Sequence, residues 1–193
     1  VLGNGRLLYG CLTHQPPYYM LAGREEIGQT RRKREAGSQA LWPGAMQYGR
    51  LIASLPFVRM VAVTGSLAVN NINDRADIDF LIVTTNGRVW LTRAFIIAIV
   101  RLAYILSESA LIFAERNLYT AHELVQMVPL HGLPVYQRMR QLNPWVSQFM
   151  PNAGSDPLIT VECPAPHTAI QTALELPWRT PVGEWVGEWV DNW

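Results

Sequence analysis

Asp77 and Asp79 stand one residue apart at the head of an apolar run, Asp77-Ile78-Asp79-Phe80-Leu81-Ile82-Val83-Thr84. An earlier apolar run, Met60 to Thr64, ends in Gly65-Ser66. These residue types suit phosphate-transfer chemistry. On a β-strand, residues two apart point to the same face, so Asp77 and Asp79 should project together and Ile78 should turn into the core. Two neighbouring carboxylates repel each other unless a cation lies between them. Hard oxygen ligands favour Mg²⁺ or Mn²⁺, and Mg²⁺ commonly takes one or two carboxylates plus substrate phosphates. Gly65 lets a backbone approach a phosphate closely, and Ser66 adds a hydroxyl donor. A short helix beginning after Ser66 would add free N–H groups. Taken singly, Gly-Ser is commonly a turn and Asp-x-Asp a solvated strand end. Their order, each joined to its own apolar run, points to a metal–triphosphate site.

The elements that must position these residues are two short strands. Val61 to Thr64 is β-branched and apolar, and Ile78 to Val83 reads the same way. Asn86-Gly87 signals a turn. Arg88 to Leu102 then reads as a helix, apolar on nearly all sides, with Arg88 and Arg93 near its start. Those two arginines are candidate phosphate contacts, and surface salt bridges are the alternative.

The Gly65-Ser66 … Asp77-x-Asp79 layout resembles the DNA polymerase β-like nucleotidyltransferase superfamily. The resemblance covers residues 45–115. It implies an α+β fold, with a short mixed sheet flanked by helices. It also implies Asp77 and Asp79 as metal ligands and catalytic residues, and Gly65 and Ser66 as the triphosphate holders. The implied cofactor is Mg²⁺ or Mn²⁺ and the implied partner is an NTP, ATP first among them. Most active members use a third carboxylate on a later strand to help activate the attacking hydroxyl. Glu108 and Glu115 are the candidates. Tyr104 to Glu108 or Ala110 to Phe113 would supply that strand. Glu108 fits the layout better because it closes an apolar run, and a solvent-facing acid is the alternative.

Upstream, Gly5 to Gly10 and Tyr18 to Ala22 are strand-like runs around Pro16-Pro17. They read as a hairpin, either a small edge hairpin or the wing of a winged-helix module. Arg24 to Ala40 reads as a polar helix carrying the cluster Arg31-Arg32-Lys33-Arg34. Four consecutive basic residues point in all directions on a helix, so a solvated helix is preferred over a nucleic-acid contact. Leu41-Trp42-Pro43-Gly44 should kink or break that helix. It resumes from Ala45 to Leu55, with Pro56 ending it.

Downstream, Thr120 and Glu123 match a capping box, and residues 120–150 read as two or three short helices starting near Thr120, Pro134 and Pro144. The stretch from Pro151 to Pro166 reads as a linker or an extended arm. Thr168 to Leu176 reads as a helix. Trp185, Trp189 and Trp193 recur every fourth residue, which puts one aromatic stripe on a terminal helix. That stripe suits docking within this subunit or onto a partner, and a homo-oligomer is expected through it.

Composition bounds the rest. The chain has 193 residues, 49% hydrophobic and 16% charged, enough for a sizeable core. A net charge of +1 gives no global case for nucleic-acid binding. Lys33 is the sole lysine, and the other basic residues are arginine. Two distant cysteines, Cys11 and Cys163, match no metal spacing and fit a reducing cytoplasm. Ala94 to Leu106 is too short to span a membrane and contains Arg101. The expected organisation is a hairpin over 1–22, a nucleotidyltransferase-like core over 23–117 and a helical region over 118–193. The expected function is transfer of a nucleoside monophosphate from an NTP to an acceptor hydroxyl. The alternatives are a non-catalytic nucleotide sensor or a winged-helix-linked regulator. No motif identifies the acceptor.

Overall fold

The computed structural model describes residues 11–73, 77–106, 125–151, 153–154, 156–157, 160 and 167–191. The fold is α+β, with two small antiparallel sheets. Strands β1 (Leu12–Gln15) and β2 (Tyr18–Leu21) form a hairpin around Pro16-Pro17, so the first strand falls in a stretch expected to be loop, while the expected strand Gly5 to Gly10 lies outside the described residues. Helix α1 (Glu25–Ala53) follows, then β3 (Val58–Thr64), α2 (Gly65–Ala68), β4 (Asp79–Thr84) and α3 (Val89–Leu106). Strand β5 (Val128–His131), α4 (Leu133–Leu142), α5 (Val146–Phe149) and α6 (His167–Glu175) come next. A 3₁₀ turn (Leu176–Arg179) leads into α7 (Pro181–Asp191).

The main sheet runs in the order β4-β3-β5, and both pairings are antiparallel. A mixed sheet was the expectation; the described strands pair antiparallel throughout. Central β3 is buried on both faces, as its apolar sequence requires. Val61 and Val63 face a cluster built from Ala45 and Ile52 of α1 and Leu67 of α2, with Phe95 and Ile96 of α3 packed against it. Met60 and Ala62 face the other way, onto Tyr136 of α4 and Val146 of α5. The sheet is thus sandwiched between two helical layers. A register shift between Val58 and Met60 interrupts the alternation, so Val58 joins the α1 side although Met60 does not.

Three sequence expectations need correction. Helix α1 is one element of 29 residues that continues through Pro43. Proline removes one backbone donor, yet tertiary contacts on both sides hold the helix together. Leu41 and Trp42 pack on the core, Ala45 is fully buried, and the Trp42 indole donates to Asn70 Oδ1 at 3.0 Å. Tyr104 to Leu106 belong to α3, not to a strand. A continuous apolar run does not distinguish the two states, and here the preceding helix extends. Conversely, β5 lies within residues 120–150, where only helices were expected. Its Pro129 is tolerated because β5 is an edge strand of the described sheet.

The hairpin and the C-terminal helices are tied to this frame. Tyr18 donates its hydroxyl hydrogen bond to Glu35, and Arg32 donates to the Pro16 carbonyl at 3.2 Å. Glu175 of α6 accepts from the Phe57 amide at 2.8 Å and from Arg59 at 2.9 and 3.2 Å. Gln171, one turn earlier, donates to the Leu55 and Val58 carbonyls. Phe57 has φ +67, a strained conformation for a non-glycine residue, and this polar cluster holds it in place. Among the described residues no helix is long and apolar enough to cross a membrane.

Candidate functional site

The site lies at the end of the sheet where β3 finishes and β4 begins. Thr64 pairs directly with Asp79 across the two strands. Gly65, the next residue, turns the chain out of β3 with φ +68, a conformation that side-chain-bearing residues rarely adopt. A Cβ added there would overlap Asp79 Oδ2 and stand 3.2 Å from Asp79 Cγ. The absence of a side chain at position 65 is therefore what lets the Asp79 carboxylate lie against the β3 terminus. Ile78 is buried while Asp77 is exposed and Asp79 half-buried, the alternation expected at the start of a strand with one wet face.

A pocket of about 250 Å³ opens beside this junction. Thr64, Gly65, Ser66, Ala68, Val69, Gln126 and Met127 line it. Gln126 and Met127 come just before β5, whose Val128 pairs with Val63 of β3. The pocket thus joins a polar wall from the end of β3 to an apolar wall from α2 and Met127.

The loop between the Gly-Ser and Asp-x-Asp segments is held from one face of α1. Arg31 donates to the Val69 carbonyl at 2.7 Å and to the Asn70 carbonyl. Arg34 reaches Asn71 Oδ1 at 3.4 Å, and Ser38 Oγ accepts from the Ile72 amide at 3.4 Å. Trp42 binds Asn70 Oδ1. Residues 31, 38 and 42 fall on one helical face, with 34 beside it. The basic cluster therefore has a structural use: Arg31 and Arg34 fix the loop, and Arg32 anchors the hairpin.

The predicted site residues divide into three groups. Gly65, Ser66, Asp77 and Asp79 come together at one end of the sheet. Arg88 and Arg93 do not join them. Arg88 follows the opposite end of β4, with its guanidinium 5.6 Å from the Phe57 ring centroid and against Gly187 of α7. Arg93 stacks over Trp90 at 5.3 Å. Glu108 and Glu115 lie outside the described residues. So do Thr120 and Glu123, together with Cys163 and Trp193. Cys11 is a free, exposed thiol. Trp185 and Trp189 are exposed on α7.

Gln126, Arg31 and Trp42 were not singled out as site residues. The spacing of Arg31, Ser38 and Trp42 along one helix face was the available signal for the loop anchor. Gln126 sits in a stretch read as helix, and only the short apolar Val128-Pro129-Leu130 hinted at the strand that brings it here.

Among the described residues no group of three or more His, Cys, Asp or Glu side chains is placed to hold a metal ion. The two aspartates suit a cation whose remaining ligands are phosphate oxygens and water. No protein-family model, curated protein or solved structure matches this chain.

Proposed function

We propose that this protein is a metal-dependent nucleotidyltransferase, moving a nucleoside monophosphate from an NTP to an acceptor hydroxyl. One observation above all supports the reading. Gly65, with no side chain and a positive φ, backs onto Asp79 at the end of an antiparallel strand pair. That apposition brings a phosphate-accessible backbone next to a carboxylate, with Ser66 and Asp77 as neighbours in sequence.

In this reading the Gly65 N–H and the Ser66 hydroxyl hold triphosphate oxygens. Asp77 and Asp79 present carboxylate oxygens to the cation that accompanies the nucleotide. Mg²⁺ or Mn²⁺, when bound, supplies neutralisation of the phosphate charge that builds up during transfer. The acceptor oxygen bonds to the α-phosphorus, the bond to the β-phosphate oxygen breaks, and pyrophosphate leaves. The acceptor's proton passes to a carboxylate, the part that Glu108 is expected to play. Arg88 and Arg93 have no part in this account, because they stand beyond the far end of β4.

A second reading, nucleotide binding without transfer, draws on Gln126. Gln126, which lines the same pocket as Gly65, is an amide, which cannot serve as a base. Incubating the protein with labelled ATP, CTP, GTP and UTP, Mg²⁺ and cell extract separates the two. Label transferred to an acceptor supports the enzyme. Retained nucleotide without transfer supports the sensor, and neither binding nor transfer rejects both.

A further inference from the structure

Helix α7 is seated by its glycines. A Cβ added at Gly183 would stand 2.6 Å from the Trp178 Cα, and one added at Gly187 would overlap the Arg88 guanidinium. These contacts fix the rotation of the helix. Val182, Trp185 and Trp189 then lie on the opposite side, 71%, 67% and 57% exposed. The two indoles alone leave roughly 200–300 Å² in water, and Val182 brings the patch to the size at which exposed apolar surface marks an interaction site. Helix α6, joined to α7 by the 3₁₀ turn, is built the same way: Gln171 and Glu175 are buried, while Ile170 and Leu174 face solvent.

The border of the stripe is acidic. Glu184 and Glu188, one turn apart, flank it on one edge, and Pro181–Asp191 contains no basic residue. Both glutamates are exposed. Glu184, in the first turn, suits the helix dipole, but Glu188, a turn further in, has no such use. Arg179, the nearest cation in sequence, turns to Glu175 at 3.7 Å. The whole chain carries a net charge of +1, so this acidic edge is a local feature.

We propose that the outer face of α7 docks a helix of a partner protein, one whose apolar face is bordered by Lys or Arg. Trp185 and Trp189 are the anchors, and Glu184 and Glu188 meet the partner's cations. The charge pattern selects this occupant. Antiparallel pairing of α7 with a second copy would set acidic edge against acidic edge, and like charges at that spacing repel. An anionic membrane surface meets the same repulsion.

The test uses the full chain and two synthetic peptides of about 18 residues, long enough to hold a helix. One has a leucine face bordered by lysines, the other the same face bordered by glutamates. Fluorescence anisotropy of the labelled peptides measures binding. The lysine peptide should bind saturably, one per chain, and the glutamate peptide at least about tenfold more weakly. Trp185→Ser with Trp189→Ser should weaken binding of the lysine peptide by at least about tenfold. Glu184→Gln with Glu188→Gln should weaken it several-fold and remove most of its salt dependence. All four side chains are exposed, so both variants should keep the wild-type circular dichroism and urea midpoint. Equal binding of the two peptides, or undiminished binding of the lysine peptide by either folded variant, overturns the proposal. So does a wild-type chain that sediments as a dimer and turns monomeric in the tryptophan variant, because a second copy then covers the stripe.

Discussion

Gly65 backs onto Asp79 so closely that a methyl group at position 65 would overlap the carboxylate. Gly65→Ala therefore meets two obstacles, a positive φ and a steric clash. It should destabilise the fold by about 1–3 kcal/mol and displace Asp79, abolishing Mg²⁺-dependent ATP binding. Gly87→Ala is the control. Gly87 has φ +69 but nothing within 4 Å of an added Cβ, so only the backbone cost of about 1 kcal/mol should appear, with binding retained. Urea unfolding and calorimetry on both variants check this. Equal behaviour would show that the contact with Asp79 has no role.

Arg31 and Trp42 position the segment that joins Ser66 to Asp77. Arg31→Ala leaves the Val69 and Asn70 carbonyls without their donor and should cost about 1–2 kcal/mol. The loosening should be local. Amide exchange measured by NMR should quicken at Asn70, Asn71 and Ile72 well before it quickens in β3. Unchanged exchange in that loop would contradict the assignment.

Glu175 ties α6 to the start of β3 and gives stability a pH dependence. Burial pushes its pKa up. The Arg59 hydrogen bond, the Phe57 amide and the charges of Arg59 and Arg179 outweigh burial and hold it below the ordinary carboxylate value. A pKa lowered by folding stabilises the folded state above the unfolded value, about 4.3, and the gain is lost as pH falls through the folded value. Arg59 is 40% exposed, so the pair is partly screened. Glu175→Gln should cost about 1–2 kcal/mol near neutral pH and flatten the acid side of the stability curve. Urea unfolding across the acid range checks it, and parallel curves for the two proteins would refute it.

Pro43 interrupts the hydrogen-bond ladder of a helix that runs on regardless. Pro43→Ala should restore that bond and raise stability by about 1–3 kcal/mol, without altering the site. A loss of stability in thermal unfolding would mean that the proline sets the course of α1.

These outcomes also mark what the sequence could reveal. The strands carrying Gly65-Ser66 and Asp79 were legible because short β-branched runs bounded by polar residues have one reading. The burial of Ile78 between Asp77 and Asp79 followed from strand alternation alone. Pro43 misled because local propensity was outweighed by the packing of Leu41, Trp42 and Ala45. Tyr104 to Leu106 misled because an all-apolar run has no period that separates helix from strand. Strand β5 was missed because three apolar residues around a proline are a weak signal, and its place is set by pairing with a strand more than sixty residues earlier. Gln126 and the α1 loop anchor were hidden for the same reason: their roles exist only in tertiary contact.

The central claim is that Asp77 and Asp79 serve a metal-bound nucleotide, and calorimetry with ATP tests it most directly. The wild-type protein should bind ATP with Mg²⁺ and much more weakly with EDTA. Asp77→Asn with Asp79→Asn should abolish the Mg²⁺-dependent part while the fold, followed by circular dichroism, persists. ATP binding unchanged by EDTA, or unchanged in the folded double variant, would contradict the account.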